Sequence, residues 1–174
     1  MNLQKLFEMQ RQLDERIIRE KELEGKDLLP NTILALQVEL GELANEWQGF
    51  KHWKTNPQPK PGMLEEYVDG LHFVLSIGLK LNEHIFDWFR EYEANKMPGW
   101  YLSNTITEQF NEVFFRVSFL LCKIDMDDYS SNLYGDVICY YLGLGEMLGF
   151  SWKEIEEAYL RKNAVNHERQ ERGY

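Results

Sequence analysis

The sequence predicts an all-α fold, a helical bundle of five to seven helices forming a single domain over residues 1–174. Two observations carry that expectation. Apolar residues recur at three- and four-residue spacing along most of the chain, and no stretch reads convincingly as a strand. The chain has 174 residues, 44% of them hydrophobic, which suits one domain with a sizeable core; a chain near this length buries roughly 70% of its unfolded surface.

Leu3, Leu6, Phe7, Met9, Leu13, Ile17 and Ile18, with charges between them, predict a first helix over residues 3–24. Glu24-Gly25-Lys26-Asp27 ends it. Pro30-Asn31-Thr32 supplies the next start, with Asn31 or Thr32 expected as N-cap. The second helix is expected from Ile33 to Gln48, with Leu36, Leu40, Leu43 and Trp47 as its core stripe and Gly49 as its stop. Residues 50–62 then pass from an aromatic and basic segment (Phe50-Lys51-His52-Trp53-Lys54) into a proline-rich loop. The third helix, Met63 to Leu81, is apolar nearly all round, the mark of a buried helix. Residues 82–95 are rich in aromatics (Phe86, Trp88, Phe89, Tyr92) and read as a helix or an irregular linker. Further helices are expected over 104–123 and 131–148, the latter with glycines suited to close packing. Ser151-Trp152-Lys153-Glu154 reads as a capping box opening a last helix to about Arg169.

The formal net charge of −10 argues against nucleic acid or an anionic membrane surface as partner. It leaves room for a small anion whose charge is carried by a metal. Cys122 and Cys139 lie in apolar surroundings without metal spacing and are expected as reduced core thiols of a cytoplasmic protein. The N-terminus is charged and amphipathic, unlike a signal peptide, and no apolar run approaches the ~20 residues of a membrane span.

Two acid pairs carry the chemistry. Glu39 and Glu42 on the second helix, with Glu46 one turn on, form a stripe about 90° from the apolar one. Glu66 and Asp69 lie on the buried third helix, where unpaired carboxylates would be costly. If the loop folds these helices antiparallel, the four acids meet. Hard oxygen donors at that spacing suit Mg²⁺, with Mn²⁺ as the alternative. The scattered histidines His52, His72, His84 and His167 do not form a zinc site. His72 is expected to be a core histidine with its bonds satisfied, the alternative being a partner to Asp69. In the last helix Lys162, Asn166 and Arg169 or Gln170 fall on one face, with Asn163 beside them. They could hold phosphate oxygens; the alternative is a solvated, charged terminal helix. Together these features suggest a polyphosphate held between metal-loaded acids and a basic tail, set up for metal-assisted hydrolysis.

The residues also resemble a known family, the dimeric all-α dUTP diphosphatases within the MazG-like nucleoside triphosphate pyrophosphohydrolases. Its two acid pairs on adjacent helices are matched by Glu39, Glu42, Glu66 and Asp69. Met9-Gln10-Arg11-Gln12-Leu13, Phe50-Lys51-His52-Trp53-Lys54, Val68-Asp69-Gly70-Leu71-His72-Phe73, and Lys162-Asn163 through Asn166, Arg169-Gln170 and Gly173-Tyr174 resemble its other motifs, in order. The resemblance implies a homodimer that hydrolyses dUTP to dUMP and pyrophosphate, with Mg²⁺ and with water attacking the α-phosphate. It makes Glu39, Glu42, Glu66 and Asp69 metal ligands, with Glu39 or Glu42 also positioning the water. It places Lys162 and Arg169 on phosphates, and Asn163 and Asn166 on the nucleotide. Gln10 falls at the base with Asp14, where the family often has Asn, and Lys51, Trp53 and Phe73 join the substrate site. The chain is expected to lack the longer inserts of some members. The alternatives are another pyrimidine triphosphate such as dCTP, or a non-catalytic helical dimer that binds a partner protein.

Overall fold

The computed structural model describes residues 2–81 and 101–173. These form six α-helices and, among the described residues, no strand: α1 Leu3–Glu20, α2 Leu29–Trp47, α3 Met63–Leu81, α4 Ile106–Asp125, α5 Ser131–Met147 and α6 Trp152–Glu171. The all-α bundle expected from periodicity is the fold observed. The aromatic stretch 82–95, read as helix or linker, lies outside the described residues.

The helix starts and stops follow local chemistry, with three departures from expectation. First, α1 ends at Glu20 rather than near residue 24, where Glu22 and then Gly25 turn to positive φ (54° and 74°). Second, α2 begins at Leu29, and neither Asn31 nor Thr32 caps it. Asp27 accepts from the Leu29 N–H, and the Thr32 hydroxyl donates back to the Leu28 carbonyl. Pro30 sits inside the first turn, where a missing N–H costs nothing. Third, the left-handed residue that ends α2 is Gln48 (φ 62°), held by a bond from Lys54 Nζ to its side-chain oxygen. Gly49 serves a different need: a Cβ there would collide with the Trp47 ring folded over it. The capping box at Ser151 and Glu154 forms as expected, with both reciprocal bonds made.

Helix α3 is the centre of the bundle and packs against α1, α2, α5 and α6. Its side chains from Tyr67 to Gly78 are buried almost without a break. Against α5 the approach is close. Tyr141 donates to the Tyr67 carbonyl at 2.6 Å, Tyr67 donates back to the Tyr141 carbonyl at 3.3 Å, and Tyr134 donates to the Val74 carbonyl. Each buried hydroxyl thus finds a partner. Gly70, Gly78 and Gly145 make room for these rings. Of the two thiols, Cys139 is buried as expected but Cys122 is exposed. It falls on the outward side of α4, whose inward stripe is Phe110, Val113, Val117 and Leu120. No helix among the described residues is long and apolar enough to cross a membrane.

The loop after α2 returns the chain so that α3 runs antiparallel to α2. The Lys60 N–H donates to the Glu46 carbonyl, and Lys60 Nζ pairs with the Glu46 carboxylate at 2.5 Å. This pairing brings the acid-bearing faces of the two helices together.

Candidate functional site

Glu39 and Glu42 from α2 and Glu66 from α3 each offer a carboxylate oxygen within 4.8 Å of the others. Three carboxylates so close repel one another, which adds to burial in raising the proton affinities of Glu39 and Glu66. Burial, and then the charges of Asp69, Glu42 and Glu66, push the Glu39 carboxyl up to about 7, with Lys162 partly offsetting them. Glu66 is raised by burial and then by Glu42 and Asp69. Glu46 stands apart from the trio, tied to Lys60.

Asp69, the fourth expected acid, is not in the trio. Its Oδ2 accepts from Lys162 Nζ of α6 at 2.5 Å, a partly buried pair. The basic helix therefore reaches the acids directly. Lys162, Asn166, Arg169 and Gln170 line one wall of a cavity of about 240 Å³. Asp69, His72, Phe73 and Ser76 of α3 line another, Gln10, Leu13, Asp14 and Ile17 of α1 a third, and Glu39 stands at the acid end. The alternative of a purely solvated terminal helix does not fit these positions.

The α1 wall is a continuous hydrogen-bonded chain. Tyr159 donates to Gln10 Oε1 at 2.8 Å, and Gln10 Nε2 donates to Asp14 Oδ1 at 2.8 Å. Asp14 Oδ2 accepts from Ser76 at 2.5 Å and from Lys80 at 3.3 Å. Lys80 thus balances the charge that Asp14 brings into the wall. The acceptor-only carboxylate of Asp14 turns the Gln10 amide nitrogen toward itself.

Most of the expected site residues meet here: Gln10, Asp14, Glu39, Asp69, Phe73, Lys162, Asn166 and Arg169 line the cavity, and Glu42 and Glu66 join Glu39 at its acid end. Three expected residues belong to neither the cavity lining nor the acid trio. Asn163 is buried behind the wall at 4% exposure. Lys51 and Trp53 lie on the loop after α2, where Lys51 stands over the Phe50 ring and Trp53 is 65% exposed. Sequence reasoning missed Ser76, Lys80 and Tyr159. For Ser76 and Lys80 a signal was present: with His72 they repeat every four residues along the apolar second half of α3. His72 is buried as expected, but it is not satisfied, since its Nε2 has no partner among the described residues.

A family model described as dUTPase matches residues 2–174. The chain belongs to the dUTPase family. Among curated proteins none matches the chain. Membership of the dUTPase family makes it an enzyme that hydrolyses dUTP, with a nucleotide as substrate. The family is generally dependent on a divalent metal, and the residues present fit one. Two ligands of one octahedral Mg²⁺ are at most about 4.2 Å apart, close to the spread of the acid trio. A cation held there would offset the charges of Asp69, Glu42 and Glu66 that, after burial, raise the proton affinity of Glu39.

Proposed function

We propose that Glu39, Glu42, Glu66 and Asp69 bind Mg²⁺, with Mn²⁺ as a substitute, and that the site cleaves dUTP to dUMP and pyrophosphate by water attack at the α-phosphate. The observation that carries this reading is the acid trio facing the Lys162–Asp69 pair at one end of a cavity lined by polar side chains. Bound there, the metal would polarise a phosphoryl oxygen and lower the proton affinity of water.

The chain's own residues supply the rest. Glu39, at the cavity end of the acid trio, takes a proton from the attacking water; Glu42 beside it orients that water. Lys162 leaves Asp69 for the phosphates when substrate arrives, and Arg169 binds them from the next turns of α6. Asn166 contacts the nucleotide, with Asn163 packed behind it. Phe73 gives the nucleoside a flat apolar surface, and Gln10, aligned by Asp14 and Tyr159, meets the base. Lys51 and Trp53 belong to the proposed substrate site through the loop after α2. The proposed active unit is a homodimer in the cytoplasm. Hydrolysis of dCTP is kept as a second reading on one observation. Asp14 is an acceptor-only group in the wall, where it could take an amino hydrogen that cytosine has and uracil lacks.

The test is a panel of dUTP, dCTP and dTTP incubated with Mg²⁺, with Mn²⁺ or with chelator, products being read by phosphorus NMR. The expected products are dUMP and pyrophosphate, only with metal. Release of single phosphate, or turnover unaffected by chelator, contradicts the reading. Preferential turnover of dCTP selects the second one.

A further inference from the structure

His72 stands on α3 one turn after Asp69 and one turn before Ser76, and all three line the cavity. It is 5% exposed and stacks on the Tyr159 ring at 4.1 Å. Its Nδ1 lies 2.9 Å from the Val68 carbonyl oxygen. A carbonyl only accepts, so Nδ1 carries the proton. Burial lowers the imidazole's proton affinity, which keeps the ring neutral at pH 7. Nε2 therefore carries the lone pair; it is shielded within the cavity wall, and among the described residues no group donates to it. A buried acceptor without a donor is costly, and the protein maintains one on the wall of its substrate cavity.

An occupant of the cavity can bring the missing donor. On the reading that the cavity holds dUTP, the choice is narrow. Outside its phosphates, dUTP has two hydrogen-bond donors, the 3′-hydroxyl of the sugar and N3–H of the base. His72 is about 4.5 Å along the helix axis from Asp69, close to the acid end where the phosphates belong. Asp14 is bonded to Ser76, one turn farther along α3, and Gln10 is bonded to Asp14. The sugar is the part of the nucleotide that lies between phosphate and base. We infer that His72 Nε2 accepts a hydrogen bond from the 3′-hydroxyl of the deoxyribose. This makes His72 a substrate-positioning residue that selects for a free 3′ end. The inference rests on the proposed function, since it takes dUTP as the occupant.

Three substrates separate the possibilities: dUTP, 2′,3′-dideoxyuridine triphosphate and N3-methyl-dUTP. kcat/KM is measured for each with the wild type, His72→Asn and His72→Gln. Asn keeps a donor for the Val68 carbonyl but has nothing at the Nε2 position; Gln can return an acceptor there. The wild type should prefer dUTP over the dideoxy substrate by roughly ten- to hundredfold. That ratio should collapse toward one in His72→Asn and recover in part in His72→Gln, while discrimination against N3-methyl-dUTP stays. A wild-type ratio near one overturns the inference without any variant. So does a ratio unchanged in His72→Asn, which would make His72 structural. Loss of N3-methyl discrimination instead would assign His72 to the base and also overturn it. A wild type that does not hydrolyse dUTP at all is the distinct failure of the functional reading, and the inference falls with it.

Discussion

Lys162 Nζ lies 2.5 Å from Asp69 Oδ2, so a cation suited to phosphate and an acid suited to metal are held against each other across α3 and α6. The pair keeps both charges compensated until each finds its other partner. On the proposed function, exchange of partners on loading would join the acid end of the cavity to the wall built by α6.

If Lys162 binds phosphate as proposed, replacing it by Met removes one charge-assisted bond, a contribution of about 1.5–3 kcal/mol. kcat/KM for dUTP should fall roughly ten- to hundredfold, with most of the loss in KM. The variant should also melt lower than the wild type in chelator at pH 8, because Lys162 offsets the charge around Glu39. An unchanged KM would remove Lys162 from the phosphates.

The metal-free protein should lose stability as pH rises. The Glu39 carboxyl titrates near 7 in the fold against an ordinary 4.5. Between those values the unfolded chain releases the proton while the folded protein retains it, so stability declines across that window and levels above it. Mg²⁺ needs the ionised acid, so its stabilising effect should be larger at pH 8 than at pH 6. Thermal melts at both pH values, with and without Mg²⁺, check the sign.

Glu42→Gln separates stability from activity. Removing one charge from the trio relieves repulsion, so the variant should melt higher than the wild type in chelator at pH 8. Turnover of dUTP with Mg²⁺ should nevertheless fall by roughly 10²–10⁴-fold. Equal turnover would refute its role in placing the water.

Two glycine substitutions test the packing that positions α3. Gly70→Ala drives a Cβ into the Tyr141 hydroxyl and should cost about 1–3 kcal/mol, or roughly 2–4 °C of melting temperature for each kcal/mol. At Gly41 a Cβ meets nothing within 4 Å. Gly41→Ala should therefore stabilise by about 0.5–1 kcal/mol through helix propensity.

Much of this was legible in the sequence, and the remainder divides by physical cause. The continuous apolar character of residues 64–81 revealed α3 as buried, and the acids on it marked a site because burial without a counterion is costly. Local signals such as the Ser151 box were read correctly because both partners lie within one turn. The start of α2 was misread because a Pro in the first turn looks the same in sequence as a Pro that stops a helix. The Asp14–Ser76–Lys80 bridge spans more than sixty residues of sequence, and nothing local reports such a partner. The same holds for the pairing of Asp69 with Lys162. Its two members were each picked out for separate roles, yet only the fold places them in contact.

The central claim is that the acid trio is a cation site. Calorimetric titration of Mg²⁺ at pH 8 tests it most directly, with Glu66→Gln set beside Glu65→Gln. Glu65 is the exposed neighbour of Glu66 and lies outside the trio, so the two variants remove the same charge one residue apart. The account predicts saturable Mg²⁺ binding that Glu66→Gln weakens at least about tenfold and Glu65→Gln leaves close to wild type. Equal weakening by both, or by neither, would contradict it.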